Sequence, residues 1–264
     1  MEVEFPNSAF VGTYEWPLIK GGQWRKVQIP IRYGFFRHPR IGPVLIDTGY
    51  SDRVTSGTRS LDLRLYCAGL RPQLIEGGQL GAFLREQGLR VEDISAVILT
   101  HFHADHISAA RELVNAQFYA CGQAYAELER SSHLKRILHG VFLDLLPDDF
   151  AERLTAFEQS PTADGPYGLG PCFDLFEDGS VLIVPLPGHA IGHVGVAFPG
   201  AETPLLYAAD AEWLRGALDP GRSGLAAGLV GHDREASKAS NAKALAFEQA
   251  GGRVVLCHDP EVGR

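Results

Sequence analysis

The stretch Thr100-His101-Phe102-His103-Ala104-Asp105-His106 places three imidazoles and one carboxylate within six consecutive positions, directly after the apolar run Ile94-Ser95-Ala96-Val97-Ile98-Leu99. Side chains at these spacings, carried by a strand end, a turn and a first helical turn, can converge on one point. Four such groups held together without a cation repel or desolvate one another, so the chemistry they point to is metal binding.

The same local arrangement, an apolar strand followed at or just past its C-terminal end by a ligand-type residue, recurs at Asp47, His101, His189, Asp210 and His258. Strand ends along one rim are where loops build sites. Taken singly each residue says little, because a lone histidine is more often a surface or hydrogen-bonded residue and a lone aspartate a turn former. Asp47 closes the run Gly42-Pro43-Val44-Leu45-Ile46 and is a ligand, a turn former or a carboxylate standing behind a metal-bound histidine, since such histidines usually need one. His193, four residues after His189, is either a similar supporting donor or a structural hydrogen-bonding residue. His38, His133, His139 and His232 show no partner pattern and read as solvated. Cys67, Cys121, Cys172 and Cys257 form no C-x-x-C pair and read as buried free thiols. Strand alternation points Cys257 away from whatever His258 faces.

The elements that must position these residues follow from periodicity and punctuation. Strands are expected at Ser8 to Thr13, Lys26 to Phe36 (Pro30 marking an edge or bulge), Gly42 to Asp47, Ile94 to Leu99, Gln117 to Ala120, Val181 to Leu186, Leu205 to Ala209 and Arg253 to Leu256. His193 to Phe198 is the expected hairpin partner of Val181 to Leu186. Helices are expected over Gln79 to Gln87, His106 to Asn115, Gln123 to about Leu138 and Asp148 to Phe157. A last helix begins with Asp233 as N-cap and stops at Gly251-Gly252. Tyr50 to Gly78 reads as an irregular surface excursion, Ser160 to Pro171 as a linker inside the domain, and Ala211 to Gly231 as a glycine-rich mobile loop with little core of its own. No internal repeat or low-complexity tract occurs.

The chain has 264 residues, 45% of them hydrophobic and 21% charged, enough for one large domain spanning 1–264. A net charge of -8 argues against a broad nucleic-acid footprint. No basic-plus-apolar leader and no run of about 18 apolar residues is present, so a cytoplasmic protein with no membrane partner is expected. Small-molecule chemistry is the better expectation, and the oligomeric state is not written in the sequence.

The cluster His101-x-His103-x-Asp105-His106, followed by Pro187-Gly188-His189, Asp210 and His258 and preceded by Asp47-Thr48-Gly49, resembles the metallo-β-lactamase superfamily from about Val44 to Asp259. The resemblance implies an α/β fold: a four-layer αβ/βα sandwich of two mixed β-sheets with outer helices. It also implies that His101, His103 and His189 hold one metal, that Asp105, His106 and His258 hold a second, and that Asp210 bridges them. Imidazole and carboxylate donors without thiolate suit two zinc ions best, with iron, manganese or cobalt acceptable. A metal pair about 3.5–4 Å apart can lower the pKa of a shared water from 15.7 toward about 7 and so supply a nucleophile at neutral pH, with Asp105 or Asp210 handling a proton.

Relatives narrow the substrate. β-Lactamases of the superfamily commonly carry Cys where this chain has Asp210, and glyoxalase II enzymes add a C-terminal helical extension. Di-iron relatives usually carry a carboxylate at the position of His103 and a flavin domain downstream. Nuclease members add basic surfaces and further domains. The chain is most similar to the N-acyl homoserine lactonase group, which implies opening of a small lactone ring and a role in quorum quenching. Other ester or thioester hydrolysis, or a non-catalytic ligand-sensing module, are the alternatives. That group usually has a tyrosine three residues after the bridging aspartate. Here Trp213 stands there, as a substrate-binding N–H donor or as packing under the glycine-rich loop.

Overall fold

The computed structural model describes residues 1–57 and 59–261, so Thr58 of the Tyr50 to Gly78 stretch and residues 262–264 lie outside the described residues. The chain divides into two compact units, one of Glu2–Gly12 and Pro30–Thr155, the other of Met1, Thr13–Ile29 and the chain from Ala156 onward. Each is α/β, built on its own six-stranded mixed sheet. Among the described residues no helix is long and apolar enough to cross a membrane.

In chain order the first elements are β1 (Val3–Glu4), β2 (Asn7–Tyr14), β3 (Lys26–Arg32), β4 (Gly34–His38), β5 (Gly42–Ile46), α1 (Leu61–Leu70), β6 (Gln73–Leu74) and α2 (Leu80–Glu86). They are followed by β7 (Ala96–Ile98), α3 (Ala104–Ile107), β8 (Gln117–Ala120), α4 (Gly122–Arg130), α5 (His133–Leu138), α6 (Phe150–Arg153) and β9 (Leu154–Ala156). The sheet of this unit has the order β1-β4-β5-β7-β8-β9. β4 and β5 form an antiparallel hairpin, whereas β5, β7 and β8 run parallel, with Ile46 opposite Ile98 and Ile98 opposite Tyr119. Val44, Leu45, Ile46, Val97 and Ile98 are all fully buried, the continuous apolar run that a sheet covered on both faces requires. The parallel register delivers the residues after β5 and after β7 to the same edge.

The remaining elements are β10 (Thr162–Gly165), β11 (Gly170–Asp174), β12 (Leu182–Pro185), β13 (Val194–Phe198), β14 (Leu205–Ala209), α7 (Leu225–Val230), α8 (Arg234–Gln249) and β15 (Arg253–Leu256). They build the sheet β10-β11-β12-β13-β14-β15, antiparallel except for the parallel pair β14 and β15. Because β12 and β14 both run antiparallel to β13, the ends of β12, β14 and β15 share one rim. Leu182, Val184, Leu206, Leu256 and the α8 residues Ala244 and Phe247 make up part of one buried cluster that also takes in Ala211 and Leu218.

Several expectations need correction. Lys26 to Phe36 is two strands, because the chain leaves β3 at Tyr33, whose N–H donates to Pro6 O. The Tyr50 to Gly78 stretch contains α1, which ends at Arg71 in the left-handed region (φ 50°). Its signal is weak because the buried residues of α1 are Leu63 and Cys67, while Leu61 and Leu65 are exposed. The helix expected from His106 starts earlier, at Ala104, and gives way to a 3-10 turn at Ala110–Glu112. The expected helix over Gln123 to Leu138 is two, with Ser132 capping the second. Of the Asp148 to Phe157 piece only Phe150–Arg153 is helical, and β9 follows it. The supposed linker Ser160 to Pro171 is the β10–β11 hairpin, with Gly165 paired to Gly170. Ala217 and Leu218, inside the glycine-rich stretch, are buried, so that stretch contributes to the core. His38 is buried and its Nδ1 accepts from the N–H groups of Arg40 and Ile41, closing the β4–β5 turn rather than facing solvent.

The last long helix begins as expected. Asp233 Oδ1 accepts from the N–H groups of Glu235 (2.9 Å) and Ala236 (3.0 Å), satisfying two of the donors that a helix start leaves open. Replacing Asp233 by Ala is expected to destabilise the protein by about 1 kcal/mol, read from the urea midpoint at unchanged m-value.

Candidate metal centre

Asp47 and the cluster from Thr100 to His106 lie on the parallel edge of the first unit. Asp47 adopts a left-handed backbone (φ 60°) immediately past β5, and its N–H donates to Ile98 O at 2.8 Å. That conformation is costly for a residue other than glycine and persists only where its surroundings hold it. The hold is specific: Asp47 Oδ1 accepts from Thr100 N at 2.8 Å, and Asp47 Oδ2 lies 2.9 Å from Thr100 Oγ1 and 2.8 Å from His106 Nδ1.

These contacts decide two tautomers. A carboxylate only accepts, so His106 carries its proton on Nδ1 and leaves Nε2 as a lone pair. Thr100 Oγ1 has one hydrogen, which it gives to Asp47. It therefore accepts from His101 Nδ1 at 3.1 Å, and His101 too is left with a bare Nε2. That atom sits 3.0 Å from His103 Nδ1, with the two rings edge to face at 4.5 Å between centroids. Asp105 Oδ2 stands 3.7 Å from His106 Nε2, beyond hydrogen-bond reach. All four members of the cluster are buried.

On the rim of the second unit, His189, Asp210 and His258 come together. His258 Nε2 lies 3.0 Å and His189 Nε2 3.4 Å from the same oxygen, Asp210 Oδ2. A register shift between Tyr207 and Ala209, with Ala209 at φ 48°, turns the end of β14 so that Asp210 leaves the ladder there. His193 ties the neighbouring strand end to it. Its Nδ1 lies 2.7 Å from Leu186 O, and its Nε2 accepts from Asp210 N at 3.2 Å, so this ring is the Nδ1–H tautomer. Gly188 precedes His189 at φ 130°, and a Cβ there would sit 2.2 Å from Ser237 N, so only glycine allows α8 to press this closely on the turn.

Cys257 corrects the alternation argument. Its sulfur lies within 4.8 Å of donor atoms of both Asp210 and His258, because β15 ends at Leu256 and the period of two no longer applies beyond it. Burial disfavours the His258 imidazolium, but the Asp210 carboxylate and Cys257 outweigh it and hold the pKa well above its ordinary value. The rim therefore favours a positive charge.

Donor spacing agrees. Ligands about 2.0–2.1 Å from a tetrahedral zinc ion stand about 3.3–3.4 Å apart, and the donor pairs within each set are separated by 3.0, 3.4 and 3.0 Å. Imidazole nitrogens and carboxylate oxygens, buried and converging at that distance, fit a divalent cation.

The family model of the metallo-β-lactamase superfamily matches residues 41–258. The chain belongs to the metallo-β-lactamase superfamily. Probable metallo-hydrolases of Mycobacterium tuberculosis and Mycobacterium bovis are each 27% identical over 182 residues, covering 67% of this chain but 56% of the relative, so the chain spans little more than half of their length. The N-acyl homoserine lactonase AttM of Azorhizobium caulinodans is 23% identical over 253 residues, 91% of this chain and 86% of that protein. Among solved structures, Bacillus thuringiensis AiiA with N-decanoyl-L-homoserine bound superposes with a TM-score of 0.71 at 15% identity, over 98% of this chain and 93% of that one. AidC, a dizinc quorum-quenching lactonase, gives a TM-score of 0.69 at 15% identity over 99% and 88%. A probable metal-dependent hydrolase of Staphylococcus aureus gives 0.73 at 14% identity over 98% and 89%. These likenesses show the superfamily's fold, the two-sheet architecture expected from the sequence.

Around the donors, the superfamily chain carries groups that the sequence alone did not single out. In the first unit the Tyr50 and Tyr66 hydroxyls lie 3.2 Å apart, and burial pushes both pKa values up, so both stay protonated. Tyr66 belongs to α1, the element hidden in the stretch expected to be irregular. In the second unit Glu212 is buried, accepts from Asn241 Nδ2 at 2.9 Å and from Ser223 Oγ, and has its pKa raised by burial. Its position beside Asp210 was the available clue. Trp213 stands edge to face with His258, 6.2 Å between centroids at 87°, and lines a cavity of about 280 Å³ with His189 and Asp210.

Asp47 gives the sharpest test of this geometry. Its replacement by Ala removes the acceptor that fixes His106 and, through Thr100, His101. Metal affinity, read by competition with a coloured chelator, is expected to fall about 10–100-fold. Unchanged affinity would mean that the two tautomers are set elsewhere.

Proposed function

We propose that the protein is a metal-dependent hydrolase in which residues 1–264 act as one domain and two zinc ions are held by the two donor sets together. In this reading His101, His103 and His189 serve one ion, Asp105, His106 and His258 the other, and Asp210 both. The observation that carries it is that one buried carboxylate, directly and through Thr100, puts the ring proton of His106 and of His101 on Nδ1 and so makes Nε2 the ligand-type atom of each. Histidines held in that tautomer by a carboxylate behind them present Nε2 to a cation. Asp210 supports the bridging role, since a single oxygen approaches two histidines that the reading assigns to different ions.

A bound metal pair would supply an activated water at neutral pH and polarise a substrate carbonyl. The chain's own residues supply the rest. Asp105 or Asp210 takes up the proton released on attack. His193, gripping Leu186 O and Asp210 N, keeps Asp210 in place while that charge moves. Trp213 offers an N–H donor and a flat face beside Asp210, and cannot act as an acid.

The substrate reading is a small lactone, with N-acyl homoserine lactones as first candidates. The similarity to a curated N-acyl homoserine lactonase along 91% of this chain supports it. Purified, metal-analysed protein is expected to open lactone rings faster than it cleaves thioesters or phosphodiesters. Thioester turnover without lactone turnover at two metals per chain would replace the lactonase reading. Asp210→Asn is expected to lower kcat by about 100-fold or more. A protein that merely senses its ligand would show no turnover to lose and would keep its ligand affinity in that variant.

A further inference from the structure

The cavity beside the metal donors of the second unit is not the apolar slot that a long neutral acyl chain needs. Its volume, about 280 Å³, is at the small end for ligand sites. His189, Asp210 and Trp213 line it, and so do three cations, Lys20, Arg234 and Lys238. The cations arrive from two directions. Lys20 sits on the segment between β2 and β3, fixed by its N–H donating to Arg222 O at 2.8 Å and by the Ile19–Ser223 bridge. Arg234 and Lys238 are four residues apart in α8 and so share one helix face.

The charges are not cancelled locally. Lys238 is paired with Glu235 at 2.6 Å, whereas among the described residues no carboxylate pairs with Lys20 or Arg234. The two acids in the lining are already engaged, Asp210 by His189 and His258, Glu212 by Ser223 and Asn241. Two exposed cations with no carboxylate partner line one small cavity from separate segments, an arrangement that suits an anion.

We propose that Lys20 and Arg234, reinforced by Lys238, form an oxyanion subsite, so that the substrate is a small lactone or ester bearing a second, anionic group, a carboxylate or phosphate, away from the bond that is cleaved. This rests on the hydrolase reading for the reaction but not for the binding. Glu212 acts as the positioning residue: by holding Ser223 and Asn241 it fastens the Lys20 segment to α8, which carries the opposing arginine.

Two measurements test it separately. Calorimetric titration of the full-length, metal-loaded protein with succinate, with inorganic phosphate and with neutral succinamide is expected to show one of the anions binding at least about tenfold more tightly than succinamide. That affinity should fall about fivefold in Lys20→Gln or Arg234→Gln and weaken with added salt, as expected for exposed charges. Preference for succinate names a carboxylate, and preference for phosphate a phosphate. Anion binding insensitive to both substitutions, including binding lost only when metal is removed, overturns the subsite, as does equal binding of succinamide. In turnover, N-succinyl homoserine lactone is expected to exceed N-butanoyl homoserine lactone about tenfold in kcat/KM, with the preference lost in the Lys20→Gln/Arg234→Gln double variant. A preference for the butanoyl compound overturns the proposal. If neither lactone is opened, the lactonase reading fails and the titration still decides the subsite.

Discussion

One buried carboxylate governs the first donor set. Asp47 is fully buried in a left-handed backbone, both unfavourable for an aspartate, and the two costs are offset by the bonds it accepts from Thr100 and His106. The arrangement is cooperative in a simple sense. Turning the Thr100 hydroxyl away would strip Asp47 of a donor and at the same time free His101 to flip its tautomer. The second set depends on a corresponding device made from backbone. His193, between Leu186 O and Asp210 N, does for a carboxylate what Asp47 does for imidazoles.

Sheet topology explains why such devices are possible. Donors that lie far apart in sequence can be held to within a few tenths of an ångström only if the strands that carry them end together. β5 and β7 are parallel neighbours, and so are β14 and β15, so Asp47 and Thr100 leave the sheet on one edge, and Asp210, after the register shift at Ala209, leaves it beside His258. β12 reaches the same rim as β14 by a double reversal through β13. The parallel pairs are buried and apolar, which leaves the polar work to the residue just beyond each strand.

This is also why the elements that carry the candidate site were legible in the sequence. A strand followed by a histidine or aspartate is a local pattern, and the structure has Asp47, Asp210 and His258 one or two residues past their strands and His101 and His189 three and four past theirs. What was missed depends on distant packing. α1 buries only Leu63 and Cys67 and leaves Leu61 and Leu65 exposed, so no stripe marks it, and Tyr66 was lost with it. The β10–β11 hairpin hides behind Pro and Gly, which form its turn but read as a linker. Cys257 was assigned a direction by a strand rule that ends one residue before it. Glu212 is a buried acid whose partners, Ser223 and Asn241, come from segments with no pattern relating them.

The division between what is regular and what is not carries a functional consequence. Asp47, Asp210 and His258 sit just past strand ends, where the ladder fixes geometry, and Asp105 and His106 sit on the short helix α3 that follows β7. The cations of the cavity sit on a turn and on the exposed face of a helix, where side chains are long and the backbone tolerates exchange. Lys20 is held by main-chain bonds that do not involve its side chain, and Arg234 follows a cap supplied by Asp233. Neither the strand register nor the donor set constrains which residue occupies those positions. A scaffold built in this way can keep its hydrolytic centre while changing which group of a substrate it recognises. The choice of charge at residues 20 and 234 is therefore better evidence about this chain's own substrate than the strand-end histidines and aspartates, which speak to the reaction and not to the rest of the molecule it acts on.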